Sequence, residues 1–421
     1  MLEMYKFNDN CKTIVNGERV IIANRSSGAW MKISMQCYDV LKIGIRHRLT
    51  PIQLIEKLAD EEDRSYFTKL FEKLNELGVI NSTENNESDN IKKIKHIYFA
   101  VTNRCNLKCI HCCFDAAHSE DVEFLSTNEA LTIIDKILEC NPGVITFTGG
   151  EPLLRKDFSE ILKYTAKKYN GIINLSTNAT LINKENVKVL SLLLSSIDIS
   201  IDGCDEESCS FLRGPGVFSK VIESIKLLQE NNFEKISLSM VLVDENKHLE
   251  EQFRYLNKSL GTKPVIRNFS PLGRGKINKE ILITGEINKE KLSFSQDKLE
   301  DIRRDINICN CGAGHKEMLI NYDGFIYPCG LLIDEKYKLG NINEIENINS
   351  YFKNKDNCKF QGYKYLAEIQ PDVFYKCKEC NVNLFCWSCL HHIDLIKNDE
   401  TALHARCSAS KQLLSKVVWN T

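Results

Sequence analysis

The sequence lacks the features that would direct a protein into or across a membrane. No apolar run approaches the roughly 20 residues that a membrane-spanning helix needs. The N-terminus, MLEMYKFNDN, has neither the basic nor the apolar region of a signal peptide. Excess charge is also missing, since the net charge is only −2. This favours neither a nucleic acid nor an acidic membrane surface as a partner. We therefore expect a cytoplasmic protein with no nucleic-acid partner and no membrane partner.

Cysteine, by contrast, is abundant, with 18 residues in a chain of 421. In a secreted protein this number would suggest disulfides. Without an export signal, and with the cysteines grouped at 105–113 and 309–407, metal or cluster ligation is favoured instead. Five cysteines outside these groups are interpreted as small core or surface residues: Cys11, Cys37, Cys140, Cys204 and Cys209.

The densest cysteine group is Cys105-x3-Cys109-x2-Cys112, which directly follows the strand-like run 97–101. Three thiolates in one loop can hold three irons of a 4Fe–4S cluster, which usually takes four cysteines. The fourth iron is then open to a ligand. A zinc loop or three buried thiols is the alternative. The spacing resembles the signature of the radical S-adenosylmethionine (SAM) enzymes, and this resemblance implies that the open iron binds the methionine end of SAM.

Residues 95–275 alternate short apolar strands with helical segments, which predicts an α/β fold with a parallel sheet and right-handed crossovers. The expected strands are 96–102, 143–148, 171–176, 196–201, 235–243 and 264–269. The expected helices are 126–140, 156–169, 183–194, 217–232 and 246–260. This pattern resembles the partial (β/α)6 barrel of the radical SAM family, in which the chemistry gathers at the carboxyl ends of the strands.

Polar motifs follow these strands in turn. The Gly-Gly-Glu-Pro segment at 149–152 resembles the family's motif for the methionine amino group of SAM, and strand-end polar residues suit ribose hydroxyls or the SAM carboxylate. An arginine before the fourth crossover helix is similar to one that the family aims at this carboxylate. Simple turn residues and a solvated arginine are the alternatives. The expected SAM-binding residues are Gly149, Gly150, Glu151, Ser176, Asn178, Ser200, Asp202 and Arg213. The basic turn 271–275 is assigned no contact.

Residues 1–83 form a small domain in which strands precede three amphipathic helices, and the polar residues 84–94 form a linker. The order of strands and helices is typical of a winged helix. Twelve basic and twelve acidic residues through Glu84 argue against binding of nucleic-acid phosphates. The domain also resembles the leader-peptide recognition element of peptide-modifying enzymes, which implies that it binds an extended peptide at a sheet edge. A packing domain without a ligand is the remaining alternative.

Residues 276–308 are charged and largely helical and form a bridging region. Residues 309–421 then resemble the SPASM domain in their cysteine order, with one residue fewer between Cys386 and Cys389. The resemblance implies two auxiliary 4Fe–4S clusters. One would use Cys377, Cys380, Cys386 and Cys407. The other would use Cys311, Cys329 and Cys389, with Cys309, Cys358 or an open iron in the fourth place. Two zinc sites are the alternative. Two histidines after Cys389, His391 and His392, are expected to be exposed.

Together the three regions resemble a radical SAM maturase that acts on a ribosomally made precursor peptide. The resemblance implies three 4Fe–4S clusters, SAM, and an electron donor such as flavodoxin or ferredoxin. The expected product is an intramolecular thioether, as in sactipeptide or ranthipeptide synthases. A maturase that forms carbon–carbon or carbon–oxygen crosslinks, an anaerobic sulfatase maturase, and a zinc-binding winged-helix regulator are the alternatives. No general base is evident from the sequence.

Overall fold

The computed structural model describes residues 4–82, 94–116, 123–283, 296–353 and 359–420, so Cys358 lies outside the described residues. The chain divides into two compact units. The first comprises residues 1–91, 287–312 and 366–421, and the second comprises residues 92–286 and 313–365. Within the described ranges, no helix combines the length and the apolar character needed to cross a membrane.

The N-terminal part of the first unit contains five strands and three helices. These are β1 (Tyr5–Phe7), β2 (Cys11–Asn16), β3 (Arg19–Asn24), β4 (Trp30–Ser34), α1 (Met35–Arg46), α2 (Pro51–Glu56), α3 (Glu61–Glu76) and β5 (Ile80–Ser82). An antiparallel sheet has the order β2-β3-β4, and β1 pairs with β5. Helix α2 begins at Pro51, because Thr50 caps it and forms a capping box with Gln53.

Both faces of strand β3 are buried. Val20 and Ile22 pack in one apolar cluster with the helices α1, α2 and α3. Ile21 and Ala23 point to the opposite face and pack in a second cluster with residues 382–385 and 414–419 of the same unit. A strand with two apolar faces needs a cover on each side. The C-terminal segment of the chain therefore completes the N-terminal sheet.

The second unit contains the alternating segment of the chain. Its elements are β6 (His96–Thr102), α4 (Thr127–Glu139), β7 (Val144–Gly149), α5 (Phe158–Lys168), β8 (Ile172–Thr177), α6 (Val187–Leu193), β9 (Ser196–Ser200), α7 (Glu206–Arg213), α8 (Val217–Glu230), β10 (Ile236–Leu242), α9 (Glu250–Leu260), β11 (Lys263–Asn268), α10 (Gly273–Ile277) and α11 (Lys279–Leu282). The strands β6 to β11 are parallel neighbours in chain order, which confirms the predicted α/β class.

The predicted strands and crossover helices of this unit are all present, with small shifts at their ends. The largest difference is α6, which was expected to begin at residue 183. Side-chain hydrogen bonds of Asn183 and Asn186 to nearby backbone groups hold residues 183–186 in a turn instead. Helix α7 was not predicted, and it ends at Arg213.

The remaining elements belong to the C-terminal third of the chain. They are α12 (Gln296–Asp305), β12 (Glu317–Ile320), β13 (Phe325–Tyr327), β14 (Gly340–Asn341), α13 (Ile348–Lys353), α14 (Gly362–Glu368), α15 (Asn383–Cys386), α16 (Leu390–Ile396) and α17 (Glu400–Trp419). Strand β12 pairs in parallel with β6, and β13 and β14 follow it, so that the sheet has nine strands within the described part of the chain. The compact units thus group these residues differently from the domain limits expected from the sequence, which stay a prediction.

The sheet of the second unit positions the loops that carry the polar motifs. Alternate residues of its strands, such as Ile97, Phe99, Ile145 and Phe147, are fully buried in a core shared with the helices. This packing fixes the face of each strand. Since the strands are parallel, the loops that follow β6, β7, β8 and β9 leave the sheet at the same edge.

Candidate SAM and cluster site

The loop after β6 holds the three closely spaced cysteines. Cys105 and Cys109 are buried, and Cys112 is half-buried. The Leu107 amide lies 3.4 Å from Cys105 Sγ and donates to it, and the Cys112 amide donates to the Cys109 carbonyl at 3.3 Å. The pKa of Cys105 is raised to about 11, mainly by burial, and Glu151, Cys109 and Cys112 contribute in the same direction. Burial opposes the ionisation of Cys105 and Cys109, so bound iron would stabilise both as thiolates.

The two glycines after β7 pack against the backbone that leads into this cysteine loop. A Cβ at Gly149 would lie 2.2 Å from the Thr102 carbonyl oxygen, and one at Gly150 would lie 2.1 Å from the Arg104 carbonyl oxygen. The Gly150 amide donates to the Thr102 carbonyl at 2.8 Å. The close approach that glycine allows therefore joins two protein loops.

Glu151, the next residue, is fully buried. Its carboxylate accepts hydrogen bonds from the Thr177 hydroxyl at 2.7 Å, from the Asn178 amide at 2.7 Å and from the Leu153 amide at 3.0 Å. Burial raises the pKa of Glu151, although these hydrogen bonds lower it in part. The donors in these three bonds are neutral, so a bound ammonium group would further stabilise the ionised carboxylate.

Asn178 and Arg213 both reach the cysteine sulfurs. Asn178 Nδ2 lies 3.9 Å from Cys105 Sγ and also donates to Asn106 Oδ1 at 2.9 Å. Arg213 Nη1 lies 3.8 Å from Cys109 Sγ. Side chains from the ends of β8 and α7 thus meet the loop after β6.

Asp202 follows β9 in a left-handed conformation with φ of 60° and is 1% exposed. Its Oδ2 lies 2.6 Å from Arg213 Nε and 2.9 Å from His111 Nε2, and its Oδ1 accepts a hydrogen bond from the Val241 amide at 2.6 Å. Burial alone would raise the pKa of Asp202, but Arg213 and His111 outweigh it and hold the pKa well below its usual range. The carboxylate expected to meet SAM thus has three protein partners.

The two strand serines are placed differently from the other predicted residues. Ser176 is half-buried on β8 in register with Asp198, and Ser200 on β9 lies 3.5 Å from the Ser239 hydroxyl. Among the hydrogen bonds of the described residues, neither serine contacts the cysteine loop. Their proposed part in SAM binding therefore stays a prediction.

The turn after β11 contacts the cysteine loop, although the sequence alone assigned it no contact. Gly273 has φ of 51°, and a Cβ there would lie 2.6 Å from the Cys112 carbonyl oxygen. Arg274 Nε donates to the Cys109 carbonyl at 3.1 Å. The glycine and arginine of this turn were visible in the sequence, but only the fold brings them against the cysteine loop.

His111 was also missed, although it lies within the cysteine triplet. It is 8% exposed, and its Nδ1 has no hydrogen-bond partner among the described residues. Asn103 Oδ1, two residues before Cys105, is likewise buried without a partner there. Unsatisfied buried polar atoms are rare in folded proteins and call for a polar partner such as a ligand. The polar groups around the cysteine loop therefore fit a polar ligand such as SAM.

The C-terminal cysteines in the first unit also lie near one another. The pKa of Cys377 is raised to about 11, mainly by burial, and Cys407, Cys386 and Cys380 contribute in the same direction. Arg406 Nη2 donates to the Cys386 carbonyl at 2.6 Å, and it lowers the pKa of Cys386 against the larger effect of burial. Four neighbouring thiols are the donor set that a 4Fe–4S cluster requires.

The other predicted ligands are spread over the two units. Cys309, Cys311 and Cys389 belong to the first unit, and Cys329 belongs to the second, so their common cluster stays a prediction. Among the described residues, no three cysteine, histidine or carboxylate side chains are already arranged around one ion. The fit to iron clusters therefore rests on the donor types and their proximity. His391, expected to be exposed, is 2% exposed because helix α16 turns it inward.

Comparison with known families matches two parts of the chain that contain grouped cysteines. The Radical SAM superfamily matches residues 99–256, which include the cysteine triplet and the Gly-Gly-Glu-Pro segment. The iron–sulfur cluster-binding SPASM domain matches residues 309–381. The chain is a radical SAM enzyme with a SPASM domain. Its cofactors are therefore SAM, the cluster that binds it and auxiliary 4Fe–4S clusters, and the interpretation as a zinc-binding regulator is wrong.

Two relatives match this chain over more than half of its length. The antilisterial bacteriocin subtilosin biosynthesis protein AlbA of Bacillus subtilis is 27% identical over 68% of this chain and 70% of its own length. Mycofactocin maturase MftC of Mycolicibacterium smegmatis is 27% identical over 58% of this chain and 66% of its own length.

Two solved structures share the fold. Streptococcus suis SuiB bound to S-adenosylmethionine has a TM-score of 0.52 at 15% identity and covers 90% of this chain and 94% of its own. Native anSMEcpe with bound AdoMet has a TM-score of 0.53 at 20% identity and covers 77% of this chain and 97% of its own. At these identities the two structures show the fold alone.

Proposed function

We propose that this radical SAM enzyme is a peptide maturase that forms an intramolecular thioether in a ribosomally made precursor peptide. The observation that carries the proposal is the match to AlbA, a bacteriocin biosynthesis protein, over about two thirds of both chains. MftC, a maturase by name, supports the same reaction class. SuiB, whose structure has also been solved bound to precursor peptide SuiA, has a related fold over 91% of this chain.

The N-terminal sheet is the proposed site for the leader of the peptide. Strand β3 lies in the centre, so β2 and β4 are the edge strands of this sheet among the described residues. An extended peptide can add to such an edge through backbone hydrogen bonds, which need no defined side chains. This mode suits a chain segment with equal numbers of acidic and basic residues.

The second unit supplies the proposed SAM site. Cys105, Cys109 and Cys112 would hold the cluster, and Glu151 would accept a hydrogen bond from the methionine ammonium group. When bound, the cluster and SAM supply a 5′-deoxyadenosyl radical, which removes a hydrogen atom from a peptide carbon. Asn178 and Arg213 lie within 4 Å of the sulfurs of Cys105 and Cys109, where they would orient the bound groups. Ser176 and Ser200 remain proposed contacts for the ribose.

The C-terminal cysteines would hold the auxiliary clusters. Cys377, Cys380, Cys386 and Cys407 form the proposed ligand set of one, and Cys311, Cys329 and Cys389, with Cys309 as a fourth candidate, form that of the other. The electron needed to cleave SAM would come from a flavodoxin or a ferredoxin. The crosslink joins a cysteine sulfur to a carbon and removes two hydrogens. One passes to 5′-deoxyadenosine as an atom, and the other leaves the thiol as a proton while an auxiliary cluster would accept the remaining electron.

The test is coexpression with a candidate cysteine-containing precursor peptide, followed by mass spectrometry. We expect a loss of two hydrogens per crosslink, together with loss of alkylation at one cysteine by iodoacetamide. The same mass loss with every cysteine still alkylated would show a carbon–carbon or carbon–oxygen crosslink and contradict the thioether. A variant that combines Cys105→Ala, Cys109→Ala and Cys112→Ala should give no product and no 5′-deoxyadenosine. Cys140→Ala, at a buried cysteine of the apolar core, is the matched control.

A further inference from the structure

One buried carboxylate connects the cysteine loop to the helix after β9. Asp202 Oδ2 lies 2.9 Å from His111 Nε2, and His111 stands between Cys109 and Cys112 in the sequence. The same oxygen lies 2.6 Å from both Nε and Nη2 of Arg213. The Asp202 side chain is 1% exposed and that of Arg213 is 9% exposed, so water does little to screen this pair.

Arg213 is in turn directed at a cluster ligand. Its Nη1 lies 3.8 Å from Cys109 Sγ, while its other two nitrogens are engaged by Asp202. The position of the arginine relative to the sulfur therefore depends on the carboxylate. The left-handed backbone at Asp202 and the hydrogen bond from the Val241 amide fix the carboxylate itself.

We propose that Asp202 is a positioning residue of the SAM-cleaving centre. It links His111 of the cysteine loop to Arg213, holds the arginine beside Cys109, and so sets the reduction potential of the cluster bound by that loop. Hydrogen bonds to cluster sulfurs and nearby charges are the means by which proteins adjust such potentials. The proposal rests on the radical SAM assignment and is independent of the peptide substrate.

The charges predict the sign of two opposite perturbations. Asp202→Asn removes the anion and leaves the Arg213 cation beside Cys109, so the reduced and more negative cluster becomes easier to form. Arg213→Gln removes the cation and leaves the Asp202 anion, so reduction becomes harder. When both substitutions are combined, the two effects oppose each other, and a double-mutant cycle measures their coupling.

The experiment is an anaerobic redox titration of the full chain with its clusters, followed by electron paramagnetic resonance. The signal that changes when SAM is added reports the cluster of the cysteine triplet. We expect Asp202→Asn to raise its midpoint potential and Arg213→Gln to lower it, each by about tenfold in the reduced-to-oxidised ratio, or about 59 mV for one electron. The double variant should lie between them. Asp135→Asn, which removes a carboxylate paired with Lys168, should leave the potential unchanged.

Shifts of the same sign in the two single variants, or no shift in either, would overturn the proposal. If Asp202→Asn retains no iron at this site, Asp202→Glu keeps the charge and moves the carboxylate by one methylene. We then expect bound iron with a displaced potential, and an unchanged potential would contradict a positioning role. If neither Asp202 variant retains iron, the direction of the shift in Arg213→Gln decides: a lower potential supports the proposal and any other result refutes it.

Discussion

Two adjacent isoleucines of β3 allow the two faces of the N-terminal sheet to be tested separately. Ile21 and Ile22 are both fully buried, but Ile21 packs with residues 382–385 and 414–419, whereas Ile22 packs with the helices α1, α2 and α3. Residues 382–385 lie between Cys380 and Cys386, which also pack against the Ile21 cluster. We therefore expect Ile21→Ala to loosen the C-terminal cysteine site and Ile22→Ala to spare it.

The expected size follows from the burial. Replacing a fully buried isoleucine by alanine costs about 2–5 kcal/mol, from lost transfer energy and from the cavity. If about 3 kcal/mol of this is lost from the contact with residues 382–385, local opening there becomes more frequent by roughly two powers of ten. Ile22→Ala should lose a similar free energy of unfolding, but on the helical side of the sheet.

The assay is the rate at which a chelator removes iron from a background that carries alanine at Cys105, Cys109 and Cys112, so that only auxiliary iron is measured. We expect much faster release from Ile21→Ala than from Ile22→Ala, at comparable losses of stability in denaturant. Equal release rates from the two variants would refute the reasoning, because they would show that the Ile21 face does not support the cysteine site.

Three further predictions concern the second unit. Gly150→Ala should release iron from the cysteine triplet, because its Cβ would lie 2.1 Å from the Arg104 carbonyl oxygen, whereas Gly330→Ala, whose Cβ meets nothing within 4 Å, should retain iron. Gly273→Ala should also release iron from the cysteine triplet, because its Cβ would lie 2.6 Å from the Cys112 carbonyl oxygen. The absorbance of the SAM-responsive cluster measures the loss. Burial lowers the pKa of His96 from 6.5 to about 4, so the folded protein binds the proton more weakly than the unfolded chain does. The free energy of unfolding therefore falls as the pH drops from 6.5 towards 4, by at most about 3 kcal/mol. Unfolding free energies of His96→Gln at pH 7.5 and 5.5 should therefore differ less than those of the unsubstituted protein, and an equal difference would contradict this.

The local patterns of the sequence were sufficient to predict the central α/β fold. The strands β6 to β11 and the helices between them follow from apolar periodicity, because each element buries one side in the same core. The extension of the sheet by β12 could not be predicted in this way. Strand β12 pairs with β6 across more than 200 residues of chain, and no local pattern specifies a partner at that distance.

In the candidate site, too, local features could be predicted from the sequence, whereas contacts between loops could not. The spacing of Cys105, Cys109 and Cys112 states its chemistry directly, since three ligands in one loop need no knowledge of the fold. Asp202 was selected as a strand-end residue, and its contacts with His111 and Arg213 depend on how three loops meet. Gly149 and Gly150 were selected through the Gly-Gly-Glu-Pro motif, and the fold shows that they approach the backbone of another loop.

The structure also changes how a leader-binding role for the N-terminal region can be tested. Removing residues 1–83 would remove Ile14, Ile21 and Ala23 and expose the apolar side chains of α15 and α17 that cover them. Lys32 and Trp30 also donate to the carbonyls of Val418 and Ile306, and these hydrogen bonds would be lost. A truncated enzyme is therefore expected to lose auxiliary iron as well as peptide affinity, so truncation cannot separate the two roles. A proline within edge strand β2 or β4 would block peptide addition while leaving the buried face of β3 in place.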